Sequence, residues 1–170
     1  MEKYIAAYGS NLYEQRMKTR CPSAVAVGTS TINRYRLLFK QSVTGAYATI
    51  EQDANCCVPV VIYRVSPEDE RRLDRYEGYP DIYYKQGFLL PVRYGKKKLC
   101  MTRVQCTAYI MREHRLLGEP SEDYFRLIET GYERWGFDPL VLYKALDDSI
   151  GKDAAPLWLS NYFFKGAKIS

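Results

Sequence analysis

The sequence predicts an α+β domain, a mixed barrel-like sheet with peripheral helices, on three observations. β-branched and aromatic runs dominate the chain as far as Met111, a sharply punctuated helix interrupts them at Ser66-Pro67, and helical periodicity takes over after Ser121. At 170 residues the chain is long enough to bury a sizeable core as one domain spanning 1–170, and it shows no repeat, low-complexity tract or linker.

Taken in order, Lys3 to Tyr8 reads as a short apolar strand, Gly9-Ser10-Asn11 as a turn, and Leu12 to Thr19 as a brief helix. Val25 to Lys40 alternates β-branched and aromatic residues over one or two strands, and Ala46 to Ile50 adds another after Gly45. Val58 to Val65 is the strongest strand signal, with Pro59 confined to its beginning. Ser66 then caps a helix, Pro67 takes its first turn, Glu68, Asp69 and Glu70 suit the positive end of its dipole, and Gly78 with Pro80 stops it. Tyr83 to Arg93 and Lys98 to Met111 form a hairpin around Tyr94-Gly95-Lys96-Lys97. Ser121 caps a helix to about Trp135 with Tyr124, Leu127, Ile128 and Tyr132 as its buried stripe, and Pro139 to Leu146 forms a shorter one. Residues from about 147 to 170, with Trp158, Leu159, Tyr162, Phe163 and Phe164, read as a C-terminal tail packing on the body.

Hydrophobic residues make up 46% and charged residues 26%, the balance of a soluble globular protein, and 16 tyrosines are the compositional oddity. Tyrosine-rich interiors surround polar pockets, because each ring brings a hydroxyl that needs a partner. The net charge of +5 is scattered, and its one run, Lys96-Lys97-Lys98, reads as a solvated turn. With no basic stripe or aromatic-plus-basic ribonucleoprotein motif, a nucleic-acid partner is not expected. Cys21, Cys56, Cys57, Cys100 and Cys106 include no C-x-x-C pair and no histidine cluster, which fits reduced thiols in the cytoplasm; Cys100 and Cys106, evenly spaced, share one strand face as small hydrophobes. The opening apolar segment is too short for a signal peptide and no run approaches a membrane span, so no membrane partner is expected either.

Glu77 is the candidate for chemistry. Leu73 is the inward residue of the Pro67 to Glu77 helix, and positions 73, 76 and 77 share its face, while Arg71, Arg72, Asp74 and Arg75 fall mostly outward. An inward carboxylate at a helix C-terminus is disfavoured as an anion by burial and by the helix dipole, so its pKa rises toward the range a general base and acid needs. The competing structural role is a surface pair with a nearby arginine. Tyr8-Gly9-Ser10-Asn11-Leu12 supplies the second half: a strand running through glycine into a helix exposes unpaired N–H groups suited to a carboxylate or a developing oxyanion, against the plainer role of an ordinary capped turn. His114 sits in a charged surface turn, no metal-ligand spacing occurs, and there is no P-loop or G-x-G-x-x-G.

These segments resemble the γ-glutamylcyclotransferase-like family, which includes AIG2-like and γ-glutamylamine cyclotransferase proteins. The resemblance rests on Tyr8-Gly9-Ser10-Asn11-Leu12, Gly45-Ala46-Tyr47-Ala48-Thr49-Ile50, Leu73-Asp74-Arg75-Tyr76-Glu77-Gly78, Cys106-Thr107-Ala108-Tyr109-Ile110-Met111 and Pro120-Ser121-Glu122-Asp123-Tyr124, in that order. It implies a small mixed β-barrel with flanking helices, and an enzyme that cyclises the γ-glutamyl group of a small amino acid, peptide or amine derivative to 5-oxoproline, releasing the free amine without metal or organic cofactor. Carried over, the family glutamate is Glu77, and the substrate cradle is Ile5, Ala6, Ala7, Tyr8, Gly9, Ser10, Asn11 and Leu12. Tyr109 matches a pocket tyrosine, and Tyr83 and Tyr84 compete for another.

After Glu77-Gly78 the stricter γ-glutamylcyclotransferases carry a second glycine before the tyrosine, where this chain has Tyr79-Pro80-Asp81-Ile82-Tyr83. Glutathione, γ-glutamyl amino acids, γ-glutamyl amines and a γ-glutamyl protecting group thus all stand as substrates. The alternative is a catalytically silent module binding a small carboxylate, to which an inward Glu77 would bring nothing.

Overall fold

The computed structural model describes residues 2–94 and 98–151, with only the backbone course given for 98–101. The strands β1 (Lys3–Ala7), β2 (Val25–Gln41), β3 (Ala46–Val65), β4 (Tyr83–Tyr94) and β5 (Lys98–Met111) close into a barrel in the order β1-β3-β2-β4-β5. Neighbours pair antiparallel, except that β5 returns to β1 in parallel through Ile5↔Thr107, so the barrel is mixed as expected. Among the described residues, closure leaves no open sheet edge to template aggregation. A short 3-10 turn (Ser10–Leu12) leads into α1 (Glu14–Arg20), α2 (Pro67–Glu77) joins β3 to β4, and α3 (Glu122–Trp135) and α4 (Pro139–Ile150) follow the barrel.

Two expected strands prove to be one. β3 runs unbroken from Ala46 to Val65, because its polar middle stays paired to β2 on both sides of a register shift between Asn33↔Cys57 and Tyr35↔Gln52. Arg34, at φ 64, marks the irregularity on β2. Pro59 therefore lies inside a strand rather than at its start. It is tolerated there because β1 pairing ends at Ala7↔Val61, leaving only β2 alongside at Thr31↔Pro59.

The punctuation of α2 follows the sequence closely. Ser66 Oγ accepts from the Asp69 N–H at 3.1 Å, Pro67 opens the helix, and Gly78 closes it in the left-handed conformation at φ 64. Leu73 is fully buried, but Tyr76, expected on the same face, is half exposed. The buried stripe of α3 also shifts: Phe125, Ile128 and Tyr132 are buried, whereas Tyr124 and Leu127 are only partly so. α3 lies directly on the 3-10 turn, where a Cβ at Gly131 would stand 2.6 Å from Leu12 Cβ and Trp135 Nε1 donates to the Leu12 carbonyl at 2.9 Å. α4 continues past Leu146 to Ile150, its last turn fixed by Ser149, whose Oγ donates to the Ala145 carbonyl and accepts from the Phe39 N–H at 2.8 Å.

The proposed tail beyond Gly151, the Gly95-Lys96-Lys97 turn and the Cys100 side chain lie outside the described residues; Cys106 is buried as expected. Among the described residues no helix is long and apolar enough to cross a membrane.

Candidate active site

β1 carries the small residues Ala6 and Ala7 to the end of the barrel, then passes through Tyr8 and Gly9 into the 3-10 turn. That turn is closed by Leu12 N–H to the Gly9 carbonyl at 2.9 Å and Tyr13 N–H to the Ser10 carbonyl at 3.3 Å, so the Ser10 and Asn11 N–H groups have no acceptor within it. Gly9 is needed for close approach: a Cβ there would stand 3.2 Å from Ala48 Cβ and 3.5 Å from the Tyr124 hydroxyl. Glu77, the last residue of α2, faces this turn, and Asn11 Nδ2 donates to its Oε1 at 3.4 Å.

Between them lies a narrow cleft of about 40 Å³. Its lining brings together Ile5, Ala6, Ala7, Tyr8, Gly9, Ser10 and Asn11 with Glu77, Tyr83 and Tyr109, and adds Ala48 and Tyr124. Two predicted residues fall outside it. Leu12 is fully buried beneath α3, where its side chain serves the core. Tyr84 lines a separate open cavity with Arg112, Glu113 and His114, because successive strand side chains point to opposite faces and Tyr83 takes the inward one.

Burial pushes the Glu77 carboxyl up to about 7, against the opposing pull of the Arg20 charge and the Asn11 hydrogen bond. The cleft tyrosines stay protonated. Burial raises Tyr8, Tyr83, Tyr109 and Tyr124 alike, with the Asp74 hydrogen bond adding to the rise at Tyr109. Each hydroxyl is engaged: Tyr8 donates to the Tyr109 carbonyl, Tyr83 donates to the Ala48 carbonyl at 3.2 Å, and Tyr124 accepts from the Ala48 N–H at 3.2 Å. The two hydroxyls hold the N–H and the C=O of Ala48 and thereby fix the wall facing Gly9.

The sequence did not mark three groups that shape this site. Arg20 donates to Ser10 Oγ at 3.2 Å, to Asn11 Oδ1 at 2.5 Å and to the Tyr76 hydroxyl, with its guanidinium 3.5 Å above the Tyr76 ring. Asp74, expected outward, instead accepts from the Tyr109 hydroxyl at 2.6 Å and pairs with Lys85 at 2.7 Å, while Lys85 also reaches Glu70 at 2.9 Å. Tyr124 was assigned to the core stripe of α3 and proves to line the cleft. Ala48, Asp74 and Tyr124 carried a signal, since all three sit in segments that supported the family resemblance, whereas Arg20 carried none. Among the described residues no set of three or more His, Cys, Asp or Glu side chains comes together to hold a metal.

The arrangement places one reluctant carboxylate beside amide hydrogens that have no acceptor among the described residues, in a sheltered cleft, a site able to take a proton from a bound amine and return it.

Bovine (Bos taurus) gamma-glutamylcyclotransferase is 29% identical over 148 residues, covering 83% of this chain and 75% of the relative, and the mouse (Mus musculus) protein of the same name is 28% identical over 138 residues, covering 76% and 70%. Among solved structures, a gamma-glutamyl cyclotransferase superposes with a TM-score of 0.73 at 24% identity over 98% of this chain and 100% of that one. An uncharacterised human protein superposes at 0.72 with 26% identity over 85% and 86%. The sequence model described as gamma-glutamyl cyclotransferase, AIG2-like, matches residues 5–132, and the chain belongs to that family of enzymes.

Proposed function

We propose that this enzyme cyclises the γ-glutamyl group of a small γ-glutamyl compound to 5-oxoproline and releases the amine, with Glu77 as base and then acid. The observation that carries the reading is the Glu77 carboxyl, pushed up to about 7 and facing the Tyr8 to Asn11 turn across the cleft. Ionised Glu77 takes a proton from the substrate's α-ammonium group, and the freed amine attacks its own γ-carbonyl carbon. A C–N bond forms and the carbonyl electrons move onto oxygen, stabilised by the Ser10 and Asn11 N–H groups. When the tetrahedral intermediate collapses, the bond to the leaving nitrogen breaks and protonated Glu77 returns its proton to that nitrogen; the ring nitrogen then gives up its second proton through the re-ionised Glu77, leaving a neutral lactam and an amine that departs as its ammonium form.

The reaction is intramolecular, so the cleft's task is to hold the glutamyl chain folded; well-oriented reactions of this kind reach effective molarities on the order of 10⁵ M or more. Neutral tyrosines suit that task, since they add rigid walls without competing for the proton. Cys21, Cys56, Cys57 and Cys106 are free thiols, which supports a cytoplasmic enzyme, a placement that cell fractionation tests.

The test is incubation with a panel of γ-glutamyl dipeptides and amines and detection of 5-oxoproline by mass spectrometry. Glu77→Gln, which keeps the size and removes the base, is expected to lose at least about a hundredfold in turnover with the fold intact. Equal rates for the variant and parent would overturn the role of Glu77, and no 5-oxoproline from any panel member would overturn the reaction.

A further inference from the structure

A second chamber adjoins the cleft. It has a volume of about 290 Å³ and shares Ser10, Glu77, Tyr83 and Tyr124 with the narrow cleft. Glu77 thus stands at the junction of the two. A general base that later acts as acid must reach both the attacking amine and the leaving nitrogen, so a scissile amide placed at Glu77 sends the glutamyl group inward and the leaving amine into the outer chamber.

The walls particular to the outer chamber are Ser42, Val43, Thr44, Tyr47, Tyr76 and Ile82. None is charged. The tyrosine hydroxyls already have partners: Tyr47 shares a hydrogen bond with Thr44 Oγ1 at 2.6 Å, Tyr76 takes Arg20, and Tyr83 and Tyr124 hold the C=O and the N–H of Ala48. The Ser10 hydroxyl also accepts from Arg20. What remains for a ligand is mainly carbon: ring faces and edges, with Tyr47 standing edge-on to Tyr124 at 5.1 Å, and the Val43 and Ile82 side chains.

The nearby cations are already engaged by protein groups. Arg20 is engaged by Ser10, Asn11 and Tyr76, Arg112 donates to the Pro80 carbonyl at 2.8 Å, and Arg115 donates to the Gln41 carbonyl at 3.4 Å; none of the three lines the chamber. A leaving amino acid or peptide would carry a carboxylate into this space without a lining cation among the described residues to meet it.

Building on the cyclotransferase reading above, we infer that the outer chamber receives the leaving group and selects amines with an uncharged apolar or aromatic body over α-amino acids and peptides.

A matched pair of substrates tests this. γ-Glutamyl-phenethylamide and γ-glutamyl-phenylalanine differ only by the carboxylate on the leaving amine. The parent enzyme is expected to show kcat/KM at least about tenfold higher for the phenethylamide, the scale of leaving a charged group unpaired. Val43→Arg places a cation in the chamber from an exposed turn, where the side chain is 84% accessible, and is expected to narrow or reverse that ratio. Turnover of both substrates with parity, or with preference for γ-glutamyl-phenylalanine, overturns the selectivity while leaving the reaction standing. A ratio unchanged in Val43→Arg overturns the assignment of this chamber to the leaving amine. Absence of 5-oxoproline from both overturns the reaction itself and this inference with it.

Discussion

Arg20 reaches Glu77 through Asn11: the guanidinium donates to Asn11 Oδ1 at 2.5 Å, and the same amide donates through Nδ2 to Glu77 Oε1 at 3.4 Å. The base is therefore steadied without a direct ion pair among the described contacts. That matters for its chemistry, because an arginine bound directly would pull the carboxyl back into the ordinary range and weaken it as a proton acceptor.

The pH profile should report this chain of contacts. Turnover needs ionised Glu77 to begin, so the acid limb of the rate is expected to rise with pH through about 7. Arg20 and Asn11 both favour the ionised form, so Asn11→Ala and Arg20→Leu should each move that limb upward by at least about half a pH unit. A limb that stays put or moves downward in both variants disagrees with the proposed base.

Stability should carry the opposite mark of the same residue. The Glu77 carboxyl sits at about 7 in the fold against 4.5 for an unburied glutamate, so between those values the folded state holds a proton that the unfolded chain has lost. Stability contributed by the neutral form is present below about 4.5 and declines as pH rises through about 7. Glu77→Gln removes that penalty. Because the carboxyl is only partly buried from solvent and so partly screened, the gain is expected to be on the order of 2 kcal/mol near pH 8 and to vanish near pH 4, as read by denaturant titration at both.

Asp74 is predicted to act as a positioning residue. It holds the Tyr109 hydroxyl and is itself held by Lys85, while the Tyr109 backbone carbonyl receives the Tyr8 hydroxyl, so the acid anchors a wall of the cleft from outside. Asp74→Ala should raise KM by about threefold to tenfold, leave the midpoint of the pH profile near its parent value, and be largely rescued by Asp74→Asn, which keeps an acceptor for Tyr109. A fall in kcat alone with no rescue would count against this role.

Gly9 gives a steric test. The methyl group of Gly9→Ala would stand 3.2 Å from Ala48 Cβ, which forces a shift of a few tenths of an ångström in a wall fixed by two tyrosines. The expected result is a loss of about tenfold or more in kcat/KM with the melting temperature changed by only a few degrees, partly restored by adding Ala48→Gly. Unimpaired kinetics in Gly9→Ala would falsify the close packing of this wall.

What the sequence determined by itself is local. Ser66, Pro67 and Gly78 mark the start and stop of α2 through capping and backbone preference, and the interval from Leu73 to Glu77 turns the carboxylate inward, because such rules act within a turn of chain. The strand-turn-helix at Tyr8 to Leu12 was legible for the same reason. Barrel closure, by contrast, joins Ile5 to Thr107, and no local pattern encodes a pairing between segments so distant in the chain. Tertiary register likewise chose Tyr83 over Tyr84 for the cleft, placed Leu12 under α3, and gathered Arg20, Asp74 and Tyr124 around the site from three separate helices. It also kept β3 continuous through a polar stretch whose composition suggested a break, since pairing to β2 resumes on either flank of it, at Tyr35↔Gln52 and Asn33↔Cys57. Local rules fix which way a side chain faces on its own element; only the packing of elements decides what it faces.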